Sequence, residues 1–149
     1  ANDMNFNNLL AWVGGFSFFA FLSTLIREII KDIEDFEGDS AYGRNTMPIL
    51  LGIRFTKVLV VVLILAIVVS LIYVYVNFLY YNPGGKPDLI SLAWFTIFLI
   101  FPFLYLIFRL VSAKEKKDYH LCSNITKLIM LAGILYSVLV YFIIHKYIP

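Results

Sequence analysis

Charge is what this chain of 149 residues has least of. Asp, Glu, Lys and Arg make up 15% of it, against about 25% in ordinary soluble domains. That scarcity excludes a disordered tail and a typical water-soluble enzyme. Cysteine occurs once, at Cys122, which excludes an internal disulfide and a cysteine zinc site. The two histidines, His120 and His145, lack ligand spacing and read as interfacial residues. Strands of alternating polarity, the mark of a membrane β-barrel, are missing too. The first apolar run has neither a basic leader nor a small-residue cleavage site, so it does not read as a signal peptide.

What fills the chain is hydrocarbon. Hydrophobic residues reach 61%, with 17% aromatic. Four uncharged apolar runs stand out: Leu9 to Ile26, Val58 to Tyr81, Leu89 to Phe108 and Leu128 to Ile144, of 18, 24, 20 and 17 residues. A helix crossing a bilayer needs about 17–25 residues, and lipid leaves no other option for an unpaired backbone. The expectation is an all-α integral membrane bundle with spans at about 9–30, 57–81, 88–110 and 125–147. The cytoplasmic loops would be 31–56 and 111–124, and the segment 82–88, Asn-Pro-Gly-Gly-Lys-Pro-Asp, a tight turn.

The few charges are distributed unevenly. Arg27, Lys31, Arg44, Arg54 and Lys57 lie in one link, and Arg109, Lys114, Lys116, Lys117 and Lys127 in another. Only Lys86 and Lys146 are on the other side. The positive-inside rule puts the basic side in the cytoplasm, with both termini outside. Trp12, Trp94, Tyr80, Tyr81 and Tyr147 then suit the outer aromatic belt. Tyr119 and the Lys114–Lys117 run suit anionic lipid. Pro102 is expected to kink the third span, and Gly14, Gly15 and Gly133 to allow close helix packing. Asn77 and the Ser and Thr of the spans are expected to bond between helices.

Six of the ten carboxylates fall between Glu28 and Asp39. At 100° per residue, Asp32, Asp35 and Asp39 stand at about 0°, 300° and 340° on a helix, with Glu28 beside them. Glu34 and Glu37 point to the far side. Like charges on one stripe repel, and acidic groups near a helix C-terminus oppose its dipole. A hard divalent cation bound with a phosphorylated ligand would relieve both effects, and oxygen donors favour Mg2+ or Ca2+. A solvated acidic helix end is the competing reading, and the residues alone leave both open.

The segment Arg27-Glu28-Ile29-Ile30-Lys31-Asp32-Ile33-Glu34-Asp35-Phe36-Glu37-Gly38-Asp39 is followed by Tyr42-Gly43-Arg44-Asn45-Thr46-Met47-Pro48 and by Gly52. It resembles the second aspartate-rich motif of the UbiA family of intramembrane prenyltransferases. Asp32, Asp35 and Asp39 match its D-x-x-D-x-x-x-D, and Gly43, Thr46 and Pro48 its G-x-x-T-x-P. The stretch from Ser123 to Gly133 resembles the start of that family's last helix. The form of the motif is most similar to the geranylgeranylglycerol-phosphate geranylgeranyltransferase branch.

The resemblance implies a nine-helix fold of which this chain carries the last four spans, residues 1–149 forming the C-terminal half. The family's first motif, N-D-x-x-D, is not matched. Asn2-Asp3 begins like it, but Phe6 stands at the partner position, and the pair falls at the outer end of the first span. The missing N-terminal half is thus an expected partner. The implied activity is Mg2+-dependent transfer of a prenyl group from its diphosphate to a membrane-associated acceptor, with geranylgeranylglycerol phosphate as the first candidate and an aromatic quinone precursor as the alternative. Asp32, Asp35 and Asp39 would act in catalysis and hold the metal together with Glu28. Arg27, Lys31, Arg44 and Lys127 would contact the diphosphate. The prenyl tail would lie in an apolar tunnel between helices. Membrane lipids are the other expected partners, and nucleic acid is not one. The expected location is a bacterial or archaeal cell membrane with the motif facing the cytoplasm. A non-catalytic four-span protein with a cation-binding helix end is the alternative.

Overall fold

The computed structural model describes residues 6–80 and 87–147, with side chains over 9–80 and 87–142. Asn2, Asp3, Tyr81, the turn over 82–86 with Lys86, and the side chains of His145, Lys146 and Tyr147 lie outside the described residues. The helices are α1 (Phe6–Glu34), α2 (Phe36–Ala41), α3 (Met47–Leu51), α4 (Ile53–Val74), α5 (Leu89–Trp94), α6 (Phe101–Ser112) and α7 (Lys116–Tyr147). Wider π-type turns continue α4 over Tyr75–Leu79 and join α5 to α6 over Phe95–Ile100. No strand occurs among the described residues.

Among the described residues, four helical stretches are long and apolar enough to cross a membrane: Leu9–Glu34, Ile53–Leu79, Leu89–Ser112 and Lys116–Phe142. The 29 residues of α1 extend about 44 Å at 1.5 Å per residue, well beyond a hydrocarbon core of about 30 Å. It therefore has length to spare beyond a single crossing. The helices α1 and α4, α4 and α6, α6 and α7, and α7 and α1 pack as neighbours. Consecutive spans are thus adjacent, and the ring closes between first and last. Ile26, Ile30, Val60, Ile64, Ile67, Phe103, Leu106 and Leu110 are fully buried at its centre. In lipid this packing rests on dispersion and shape rather than on escape from water.

The expected loops are mostly helical. The span 31–56 holds the last turn of α1 together with α2 and α3, and 111–124 shrinks to a link over 113–115. The charges of 114–120 obscure a helical pattern in which Tyr119, Cys122, Ser123, Thr126 and Ile129 turn inward. Tyr119 is therefore a core residue and not a lipid contact. Its hydroxyl donates to the Ala113 carbonyl at 3.2 Å, as does Lys57 Nζ at 2.6 Å, satisfying the C-terminal end of α6. Asp118 reaches back to accept from the backbone N–H of Lys114 and Glu115, both at 3.0 Å, and so caps α7.

The expected kink at Pro102 takes the form of the wide turn just before it. A proline ring clashes with the carbonyl four residues back and offers no N–H, and widening the helix relieves the conflict. Gly14 and Gly15 have nothing within 4 Å of where a Cβ would stand, so they do not mediate packing. Gly133 does, because a Cβ there would strike the ring of Phe19. Asn77 and most span hydroxyls bond to carbonyls of their own helix, as Asn77 does to Tyr73 and Thr126 to Cys122. Ser91 instead bonds across to Tyr136 of α7 at 2.8 Å.

Candidate functional site

The acidic stripe survives a break in its helix. Asp35 sits at φ −90° and ψ 11° between α1 and α2. The bonds Asp35 N–H to Lys31 O and Asp39 N–H to Asp35 O, both 2.9 Å, nevertheless keep the helical register across it. Asp32 therefore faces Glu28, Asp35 and Asp39 closely enough for each to repel its charge. Glu28 and Asp35 are exposed, Asp32 is half-buried, and Asp39 is nearly covered.

The tail of the motif brings a cation back to this stripe. The Gly43 N–H bonds to Ser40 O and the Arg44 N–H to Asp39 O, with Gly43 at φ +67°. This is the glycine-terminated helix end in which two N–H groups close back on the last turn. It swings Arg44 over Asp39, with Nη1 to Oδ1 at 3.6 Å. Thr46 is extended and begins α3, Pro48 fits its first turn, and Gly52 at φ +83° separates α3 from α4. Gly43, Thr46, Pro48 and Gly52 thus shape the turn that carries Arg44.

The stripe points away from the bundle. Leu22, Ile26, Ile29, Ile30 and Ile33, the buried face of α1, centre roughly 135° around the helix from the carboxylates. Continued into the membrane zone, the stripe meets Thr24, Phe21, Ser17 and Gly14, all exposed. Arg27 and Lys31 flank it, half-buried. Arg27 pairs with Glu28 at 3.3 Å, while its Nε is buried without a partner. Lys127 stands exposed on α7, two turns along from His120. The His120 ring bonds Glu34 at 2.9 Å, tying α7 to α1 beside the stripe. Sequence reasoning missed that bond and expected only an interfacial histidine. The sole clue was Glu34 lying off the stripe.

Among the described residues no three acidic, histidine or cysteine side chains converge on one point. The carboxylates form an open row rather than a closed cage. Mg2+ commonly takes one or two carboxylates and completes its shell with phosphate oxygens and water, so the oxygen-only donor set fits that ion together with a diphosphate. Asp32, Asp35, Asp39 and Glu28 are the residues able to share it.

The UbiA prenyltransferase family model matches residues 3–131. A digeranylgeranylglyceryl phosphate synthase of Methanosphaera stadtmanae is 38% identical over 118 residues, covering 76% of this chain and 39% of that protein. A synthase of the same name from Methanothermobacter thermautotrophicus is 57% identical over 42 residues, 28% of this chain and 15% of its own. One from Thermococcus kodakarensis is 64% identical over 33 residues, 22% and 12% of the two chains. No solved structure matches. The matched segments cover 39% or less of these relatives' own length. With the family model matching nearly from end to end and the aspartate row in place, this chain belongs to the UbiA prenyltransferase family.

Proposed function

We propose that this chain carries the diphosphate-binding end of a prenyltransferase acting on a glycerol-phosphate lipid of the geranylgeranylglycerol phosphate type. The observation that carries the reading is the carboxylate row with Arg44 folded back onto Asp39 at the membrane-surface end of α1. The names of the relatives favour the lipid acceptor over an aromatic one.

In the reaction, the bond between the prenyl C1 and the diphosphate oxygen breaks. The acceptor hydroxyl oxygen bonds to C1, and diphosphate and the hydroxyl proton leave. Diphosphate departs only when its charge is neutralised, which is the chemistry a bound Mg2+ supplies. Asp32, Asp35, Asp39 and Glu28 would hold that ion. Arg44 and Lys31 meet the same diphosphate as direct cations. Arg27 offers its unpartnered Nε, and Lys127 approaches from α7. The exposed hydroxyls of Ser17 and Thr24 continue the row inward. Polar groups at bilayer depth normally face protein or a cavity. We therefore place the opposite wall of the site in the rest of the full-length protein.

The test uses the full-length protein with radiolabelled prenyl diphosphate, Mg2+ and geranylgeranylglycerol phosphate. Asp35 is exposed, so Asp35→Asn should fold normally and lose activity by about 10–100-fold. Full activity of that variant would sink the reading. Turnover with an aromatic carboxylic acid acceptor instead of the lipid would leave prenyl transfer standing and overturn the choice of acceptor.

A further inference from the structure

The carboxylate row crosses a break, and its spacing depends on the angle there. Glu28 and Asp32 belong to the regular turns of α1, which ends at Glu34. Asp35 leaves the helical range at φ −90° and ψ 11°, and Asp39 lies beyond it in α2. The bonds Asp35 N–H to Lys31 O and Asp39 N–H to Asp35 O carry the register across. They are under load. The last carbonyls of a helix lack helical partners, and like charges along the row push its turns apart. The six residues of α2 are too few to be a stable helix by themselves. Arg44 offsets the charge of Asp39, but it stands on the far side of the break and cannot set the angle.

α7 supplies the missing hold. Glu34, the last residue of α1, bonds His120 Nδ1 at 2.9 Å. A carboxylate only accepts, so the ring proton sits on Nδ1 and is donated. On the wheel that puts Asp32 at 0°, Glu34 stands at about 200°. The bond therefore grips α1 from its flank and leaves the oxygens of the row free for a ligand. The Glu34 side chain is only 14% exposed, against 63% for His120, so the carboxylate is folded in and not aimed at the row.

His120 is itself held in place. Its neighbour Tyr119 is buried and donates to Ala113 O, the carbonyl that also takes Lys57 Nζ. The start of α7 is thus fastened to α4 and α6 through Tyr119, and to α1 through His120. Further along, Phe19 packs on Gly133, and the Phe16 and Tyr136 rings lie 6.3 Å apart. With these pairs fixing the register of two antiparallel helices, Arg27 comes about level with Lys127. We propose that His120 is a positioning residue for the metal-binding row. Through Glu34 it fixes the break at Asp35, and with it the separation of Asp35 and Asp39 from Asp32 and Glu28. This role presupposes that the row takes Mg2+ with a diphosphate. It gives His120 no contact with substrate and no proton to transfer.

The test measures binding without turnover. Full-length protein is titrated, at fixed Mg2+, with radiolabelled geranylgeranyl thiolodiphosphate, a slow-reacting analogue that keeps the diphosphate. His120→Ala should weaken binding about tenfold, the lower end of what losing a supporting bond beside a metal costs. His120→Asn should return it to within about twofold of the unaltered protein, because the Asn amide nitrogen, like Nδ1, is attached directly to Cγ. Glu34→Ala also removes a charge beside the row, so the pair is read as a cycle: adding His120→Ala to it should weaken binding no further. In turnover, the loss should fall on KM for the prenyl diphosphate more than on kcat. Equal losses in His120→Ala and His120→Asn would trace the effect to the missing ring and not to the bond. Additive losses from His120→Ala and Glu34→Ala would uncouple the two residues. Either result overturns the proposal, as does full affinity in His120→Ala while Asp35→Asn loses its own. Full affinity in Asp35→Asn would instead sink the row as the diphosphate site, and the role of His120 with it.

Discussion

Arg44 is tied to Asp39 by one long ion pair between a covered carboxylate and a largely exposed guanidinium. Pairs of this kind contribute under about 1 kcal/mol. Arg44→Ala should therefore leave the unfolding temperature nearly unchanged while raising KM for the prenyl diphosphate in the full-length protein. A large stability loss with unchanged KM would make Arg44 structural. Gly43 is the reverse case. A side chain at φ +67° costs about 1–2 kcal/mol, so Gly43→Ala should lower both stability and diphosphate affinity, and Gly43→Asn should do less harm because Asn tolerates that region. Unfolding scans paired with substrate titration check both. Gly133→Ala should cost about 1–3 kcal/mol by forcing the Phe19 ring aside, a role the sequence suggested only as general closeness. Gly14 and Gly15, which sequence reasoning grouped with it, should tolerate Ala with little change.

At the scale of elements, the joint between α4, α6 and α7 rests on one carbonyl. Ala113 O takes both the Lys57 ammonium and the Tyr119 hydroxyl, and the ammonium also stands 5.2 Å from the Tyr119 ring centroid. Lys57→Met should destabilise by about 1.5–3 kcal/mol and Tyr119→Phe by about 0.5–1.5 kcal/mol. The double variant should fall short of the sum, since both donors serve one acceptor; a strictly additive result in chemical unfolding would refute the shared joint. The sequence made the spans legible because an uncharged run of this length has one use in lipid. The ends of the helices were not legible. Where charges are dense, as in 114–120, hydropathy falls although the helix continues, and only the buried positions reveal it. The same holds at Asp35, where the backbone dihedrals leave the helical range but the hydrogen bonds continue.

For the molecule as a whole, ten of the twelve basic residues fall in two sequence segments, 27–57 and 109–127, the first of which also holds the acidic row. Ala41 and Pro87 are exposed at opposite ends of the bundle, while the native Cys122 is buried. In intact cells, Pro87→Cys should react with a membrane-impermeant maleimide and Ala41→Cys should not until the membrane is opened. The opposite labelling would invert the orientation. Composition and run length by themselves determined the membrane, the number of spans and the segment holding the aspartate row, because lipid tolerates few backbone solutions and little charge. Tertiary structure alone decided which way the row faces and that Glu34 meets His120 from 86 residues away. Those are relations between helices. A periodic pattern tells each helix which side to bury, but the neighbour it is buried against is chosen only when the four pack together.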